Sequence, residues 1–284
     1  MYDKNISTRE PSLVLFLIDQ SSSMGGAWGN SGISRMVLAS NALNQTLYDL
    51  ALHACMKGDE IADRIHVGIV SYGAPNVSSI LGGSKGWEPA TTWVESYNRI
   101  SKVPVGHDGN RVIESEIPIW VEPKAINGTP MAEALQLAGK IVSNHSSEYP
   151  SSHPPIVINI TDGEAGGISP PARAIRSCST EDGDALLFTI QISSDGGHPL
   201  LFPTEVPPSA SSYTTELFNI SSEIPSSMAS RARQMGIHVP EGGRGIVLNA
   251  DPLALTSFLS VGTTLTLSSY SETSVAKDSD LIYS

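Results

Sequence analysis

The chain is short of charge, of cysteine and of long apolar runs, and each shortage closes off a class of function. Charged residues make up 16% of its 284 positions, below the quarter or so usual in soluble domains; Ser, Thr, Gly and Pro fill the balance. Cations are the scarcer sign, with 17 Lys and Arg against 29 Asp and Glu for a formal net charge of −12. A nucleic-acid partner needs a basic face that displaces counterions, and no basic patch offsets this acidity. The two cysteines, Cys55 and Cys178, show no CxxC or Cys/His spacing. They read as small apolar side chains in a reducing compartment, with a disulfide the less favoured reading. The seven histidines form no HxxxH-type pair, which argues against a transition-metal site. No run approaches the roughly 18 apolar residues of a membrane span, and Met1 to Glu10 holds no apolar signal core. A soluble, cytoplasmic protein is expected. Also missing are a Gly-x-Ser-x-Gly elbow, a P-loop and a Gly-x-Gly-x-x-Gly fingerprint.

What is present is concentrated first in Leu13 to Gly26, where six apolar residues run into Asp19, Gln20, three serines, Met24 and two glycines. A short continuous apolar run bounded by turn residues suits a strand buried on both faces of a parallel sheet. The polar cluster then falls at the strand's carboxyl end, where open α/β sheets place their ligands. Asp19, Ser21 and Ser23 can converge there with three oxygens, the donor type that a hard divalent cation prefers.

The same grammar continues along the chain. Residues 1–11 form a polar arm ending at Pro11. Apolar residues at helical spacing from Met36 to Met56 predict a helix, capped by Ser34 or Ser31 and closed by Lys57-Gly58. Ile65 to Tyr72 predicts a second strand, completing a right-handed βαβ unit. Residues 73–125 are harder: Val77–Leu81 reads as a short edge strand, Thr91–Ile100 as weakly helical and Arg111–Val121 as extended, with surface loops between. Gly128-Thr129-Pro130 opens a helix with Pro130 at its first position. The apolar run Pro155 to Thr161 then ends in Asp162-Gly163, repeating the opening stretch. A helix over about 170–180, a strand at 185–192, a long irregular connection at 194–223, a helix at 225–235, a strand at 245–249 and a last helix from Pro252 to about Val261, capped by Asp251, complete the alternation. The expectation is a single α/β domain over 12–265 with loop insertions around 73–125 and 194–223, and a polar, disordered tail over 266–284. Its doubly wound, mostly parallel central sheet carries helices on both faces and one short antiparallel edge strand.

Asp19-Gln-Ser21-Ser-Ser23, Gly128-Thr129-Pro130-Met131 and Thr161-Asp162-Gly163 stand in this order, each at an expected strand end or helix start. Together they resemble the metal-ion-dependent adhesion site (MIDAS) of von Willebrand factor type A (vWA) domains. The match of elements covers most of residues 12–261, and the resemblance is greatest to intracellular bacterial stand-alone members of the tellurium-resistance-associated type. It implies a Rossmann-like vWA fold and a metal site of Asp19, Ser21, Ser23, Thr129 and Asp162. Ser21, Ser23 and at times Thr129 would bind directly, Asp19 and Asp162 largely through water. The implied ion is Mg2+, with Mn2+ or Ca2+ as substitutes. Few anionic ligands leave such an ion electron-poor, so a protein partner's carboxylate binds well at an open position. Thr161 is expected to orient Asp162; Gly25, Gly26, Gly128 and Gly163 let backbone crowd the site.

Alternative readings stand beside this one. Ser21–Ser23 alone could be a turn and cap cluster. Trp28 could face a partner or anchor its loop, Met24 and Met131 pack beneath the loops, His66 reads as a satisfied sheet histidine, and Glu164 as solvated or as a contributor to partner choice. A non-catalytic, metal-dependent adaptor module in an intracellular complex, associated with stress response or with a kinase, phosphatase or ATPase, is the first functional reading. The second is a metal-assisted phosphotransferase or hydrolase. Asp19 is superficially similar to the haloacid-dehalogenase nucleophile, but that chemistry needs Asp-x-Asp, and Ser21 at the second position cannot do the proton work. A degenerate domain binding partners without metal is the third.

Overall fold

In the computed structural model the described residues are 1–29, 32–108, 111–163, 165–192 and 198–264. The expected tail at 266–284, the cap Ser31 and Glu164 lie outside them. In chain order the elements are β1 (Ser12–Asp19), a 3-10 turn (Ser22–Gly25), α1 (Arg35–Leu50) continued by a π turn (Ala51–Cys55), β2 (Met56–Lys57), β3 (Glu60–Ile61), β4 (Ile65–Gly73), β5 (Asn76–Leu81) and α2 (Ala90–Trp93). There follow β6 (Arg99–Asp108), β7 (Arg111–Ile119), α3 (Met131–Glu148), β8 (Ile156–Thr161), α4 (Ser169–Arg176), β9 (Ser179–Thr180) and β10 (Gly183–Asp184). The chain continues through β11 (Leu186–Gln191), β12 (Leu200–Leu201), α5 (Ser212–Ile220), α6 (Ser226–Gln234), β13 (Ile246–Leu248) and α7 (Pro252–Thr264).

Seven strands form the central sheet in the order β12-β13-β11-β8-β1-β4-β5. Five of them run parallel, from β13 through β11, β8 and β1 to β4. The expected antiparallel edge strand is β5, and a second, two-residue antiparallel strand, β12, closes the other edge. The sheet thus has the doubly wound α/β architecture. All eight residues of β1 are buried, as a strand covered on both faces requires. Its side chains alternate between two cores. Val14, Phe16 and Ile18 meet Leu43 and Leu47 of α1, Met228 of α6 and Phe258 of α7. Leu13, Leu15 and Leu17 meet Leu135 and Ala138 of α3, Ala172 and Ile175 of α4 and Leu217 of α5. Each fully buried aliphatic side chain of this kind stabilises the fold by about 1.5–3 kcal/mol before entropy is counted.

The strand order reverses at β1: the chain goes from β1 to β4 on one side and later to β8, β11 and β13 on the other. The carboxyl ends of β1 and β8 therefore flank a topological switch point, the crevice in which open α/β sheets bind ligands.

Several stretches add to or differ from the sequence reading. Residues 73–125 hold more than an edge strand and loops: β6 and β7 pair along their length, from Arg99 opposite Ile119 to Asp108 opposite Arg111. The helix expected over Thr91–Ile100 shrinks to α2, because cross-strand pairing claims Arg99 and Ile100. The connection at 194–223 contains α5, whose cap Ser211 accepts a hydrogen bond from Thr214 N at 3.1 Å. Pro130 stands at the N-cap of α3, one residue before the position expected. The arm at 1–11 is tied down, with Asp3 N and Lys4 N donating to the Asp182 carboxylate at 3.2 and 3.0 Å.

Candidate metal centre

β1 ends in Asp19, which is fully buried, and the chain turns at once into the 3-10 turn that carries Ser23. The turn is braced by the aspartate itself, since Ser21 N donates to Asp19 Oδ1 at 2.8 Å. The other carboxylate oxygen, Oδ2, accepts from Thr161 Oγ1 at 2.7 Å, across to the last residue of β8. Thr161 Oγ1 in turn accepts from Gly163 N at 3.0 Å. The threonine expected to orient Asp162 thus orients Asp19, and among the described residues it meets the Asp162 turn through the backbone N–H of Gly163.

A string of oxygens leads out of the crevice. Ser21 Oγ and Ser23 Oγ lie 2.9 Å apart, and Ser23 Oγ donates to Asp162 Oδ1 at 2.9 Å. Four of the five residues singled out in the sequence, Asp19, Ser21, Ser23 and Asp162, are thereby joined in one network. Ser21 is buried while Ser23 is exposed, so the string runs from the sheet to solvent.

Thr129 comes to the same end of the sheet by another route. Ser21 bridges Ile126 in parallel, Ile126 N donates to Gln20 O at 2.6 Å, and Ala74 N donates to Gly128 O at 3.3 Å. Gly128 has φ +69, and a Cβ there would lie 2.5 Å from the Ala74 side chain, so glycine is what lets this loop close against β4. The Thr129 hydroxyl makes no hydrogen bond to the other four among the described residues. Beneath the site, Tyr72 Oη donates to Asn159 Oδ1 at 2.8 Å, and Met24 and Met131 are fully buried. Trp28 is half-buried and packs on the core from its loop, which favours the anchor among its two readings.

The electrostatics are those of a charge held where water is scarce. Burial pushes the Asp19 carboxyl up to about 6; the hydrogen bonds from Thr161 and Ser21 pull it down, and the charge of Asp162 adds to the rise.

Arg35 belongs to the site and was not singled out in the sequence. Its Nη2 donates to Ser23 O at 2.6 Å and lies 3.6 Å from Asp162 Oδ2. A signal for it existed: Arg35 is the first residue of α1, where a positive charge opposes the helix dipole. A cation in that position has a tertiary partner to find.

All the donors are oxygens, and two of them are carboxylates in one hydrogen-bonded network. A divalent cation fits such a set, because it offsets the charge that burial resists and prefers oxygen ligands. Among the described residues no group of three or more His, Cys, Asp or Glu could hold a metal. A metal at this site would have to draw on the hydroxyls as well.

No protein-family model matches the chain, and no curated protein matches it. Solved structures do. Proximal thread matrix protein 1 from the mussel byssus, in a form with a zinc-occupied MIDAS motif, is 13% identical with a TM-score of 0.44; the match covers 93% of this chain and 49% of that one. The PilB minor pilin of Streptococcus sanguinis is 11% identical with a TM-score of 0.46, covering 95% of this chain and 64% of that one. A manganese-loaded TRAP protein of Plasmodium vivax is 11% identical with a TM-score of 0.41, over 92% and 76%. The chain spans about half the length of the mussel protein.

Proposed function

We propose that the crevice between β1 and β8 binds a divalent metal ion, Mg2+ or Mn2+, and that the bound ion recruits a protein partner through a carboxylate. The observation that carries this reading is the hydrogen-bonded network that joins buried Asp19, through the Ser21 backbone N–H, to the Ser21 and Ser23 hydroxyls and Asp162 at the switch point. Ser21, Ser23 and Thr129 supply neutral hydroxyls. Asp19, with each carboxylate oxygen already accepting a hydrogen bond, and Asp162 supply charge from behind, in keeping with contacts through water. The metal would supply an electron-poor open position for an anionic ligand. Nothing in the network offers a second acid–base group within the Asp19 turn, which favours a binding module over the phosphotransferase or hydrolase alternative. The adaptor role, the intracellular setting and the closeness to tellurium-resistance-type proteins rest on the sequence resemblance.

The test is thermal unfolding with and without metal. At a hundred times its dissociation constant a bound ion adds about 2.7 kcal/mol of stability, on the order of 5 °C for a domain of this size. Mg2+ or Mn2+ should raise the Tm of the wild type by that amount, and Asp19→Ala should abolish the gain. An equal shift in both proteins would remove the metal from this site and leave the degenerate-domain reading.

A further inference from the structure

The guanidinium of Arg35 reaches the oxygen network from outside the motif. It touches the Ser23 carbonyl in the turn after β1 and Asp162 in the turn after β8, so one side chain spans the two walls of the crevice. The contact is built into the fold. The Arg35 side chain is 13% exposed and that of Asp162 is 5% exposed, so the pair is shielded from the screening that weakens surface ion pairs. Arg35 N also donates to Gly26 O at 3.0 Å, and a Cβ at position 26 would collide with Arg35 Nη2. The missing side chain at Gly26 leaves room for the guanidinium beside the turn.

We propose that Arg35 is the resident counter-cation of the site: it balances Asp162 in the metal-free protein and thereby sets the affinity for the divalent ion. The inference rests on the metal-binding reading above. A dication and the guanidinium draw on the same carboxylate. While Arg35 is in place, an arriving ion gains less from Asp162 and meets a fixed positive charge held in a partly desolvated crevice, where charges act strongly on each other. With a neutral residue at 35, Asp162 loses the guanidinium's charge, and a divalent ion gains correspondingly more by taking its place. A lysine keeps the charge but is a point donor; it cannot fork between the Ser23 carbonyl and Asp162 as a planar guanidinium does.

The experiment is a Mn2+ titration of the wild type, Arg35→Gln and Arg35→Lys, followed by the paramagnetic signal of free Mn2+, with melting curves in EDTA and in saturating Mn2+. Arg35→Gln should bind Mn2+ at least about tenfold more tightly, a change of about 1.4 kcal/mol. It should melt lower than the wild type in EDTA and show the larger gain in Tm on adding Mn2+. Arg35→Lys should fall between the two, and it carries the test should the glutamine variant not fold. Binding by Arg35→Gln with none by the wild type would support the proposal in its strongest form. Equal or weaker binding by both variants, with binding by the wild type intact, would overturn the role of Arg35 and leave the metal site standing. No binding by any of the three proteins would overturn the metal-binding reading and this inference with it.

Discussion

The two ends of β1 and β4 bury ionisable groups of opposite sign, and the contrast shows what burial alone does and does not confer. At the carboxyl end stands Asp19. At the amino end His66, near the start of β4, places Nδ1 3.1 Å from Nε2 of His145 on α3, and its own Nε2 3.4 Å from Asp63 Oδ2. Trp87 and Tyr149 pack around both histidines, so His66 is the satisfied sheet histidine that the sequence suggested. Burial pushes His145 down to about 3, helped by His66 and Lys85, and pushes Asp19 up to about 6. In both places the fold prefers the neutral form. The amino end achieves this with uncharged imidazole walled in by rings. The carboxyl end leaves a carboxylate whose charge is still unwelcome, linked by hydroxyls to solvent. That residual demand for a cation, and not burial as such, separates a candidate site from a buried structural cluster.

Acidification should therefore act in opposite directions at the two ends. The largest effect is expected at His145. The unfolded chain takes up its proton near 6.5, the folded one only near 3. Between those values the unfolded state binds more protons, so the contribution is complete above about 6.5 and is lost as the pH falls toward 3. At about 1.4 kcal/mol per pH unit its ceiling is roughly 4–5 kcal/mol. Urea unfolding from pH 7 to 4 should show a shallower decline for His145→Gln than for the wild type; parallel curves would count against a buried neutral histidine.

Asp19 comes next, with the sign reversed. Its folded value is raised from 3.8 to about 6, so its contribution is present below 3.8 and is lost as the pH rises through 6. In EDTA at neutral pH, Asp19→Asn should be more stable than the wild type by up to roughly 3 kcal/mol, and the gap should close by pH 4. Saturating Mg2+ should narrow or invert it. A variant less stable than the wild type throughout would mean that the hydrogen bonds from Ser21 and Thr161 outweigh desolvation. The smallest effect belongs to Lys85, whose pair with Glu148 beside the histidines is 2.7 Å long but has side chains 55% and 38% exposed. Lys85→Ala should cost less than about 0.5 kcal/mol, and a larger loss would tie the surface pair to the buried cluster.

What could be read in advance depended on how far apart the interacting residues lie. The apolar runs into Asp19 and Asp162 are local patterns, and each became a central parallel strand ending at the site. The pairing of β6 with β7 was hidden, since Pro104 and Pro118, Gly106 and scattered charges mask the strand period. The α5 helix was lost in a Ser-, Pro- and Thr-rich stretch whose amphipathic span, Leu217 to Ile220, is barely one turn. The Thr161–Asp19 bond joins residues 142 apart in the chain and the His66–His145 bond residues 79 apart; only the register of β1 against its neighbours makes such partners visible. Arg35 was missed because its unfavourable place at a helix start hints at a partner without naming it, and the two partners lie in turns after different strands.

The β6–β7 arm enters and leaves the fold through adjacent residues: Asn98 N donates to Ile119 O at 2.7 Å and Asn98 Nδ2 to Trp120 O at 2.9 Å. Just beyond, Asn44 of α1 clamps the returning chain, accepting from Trp120 N and Val121 N and donating to Val121 O. An insertion stapled at its root adds no crossing to the sheet and asks nothing of the strand order. The two strands pair with each other in a sheet of their own, so the path from Val121 to Thr129 is anchored by Asn44 and by the Gln20 carbonyl and takes no hydrogen-bond register from the arm.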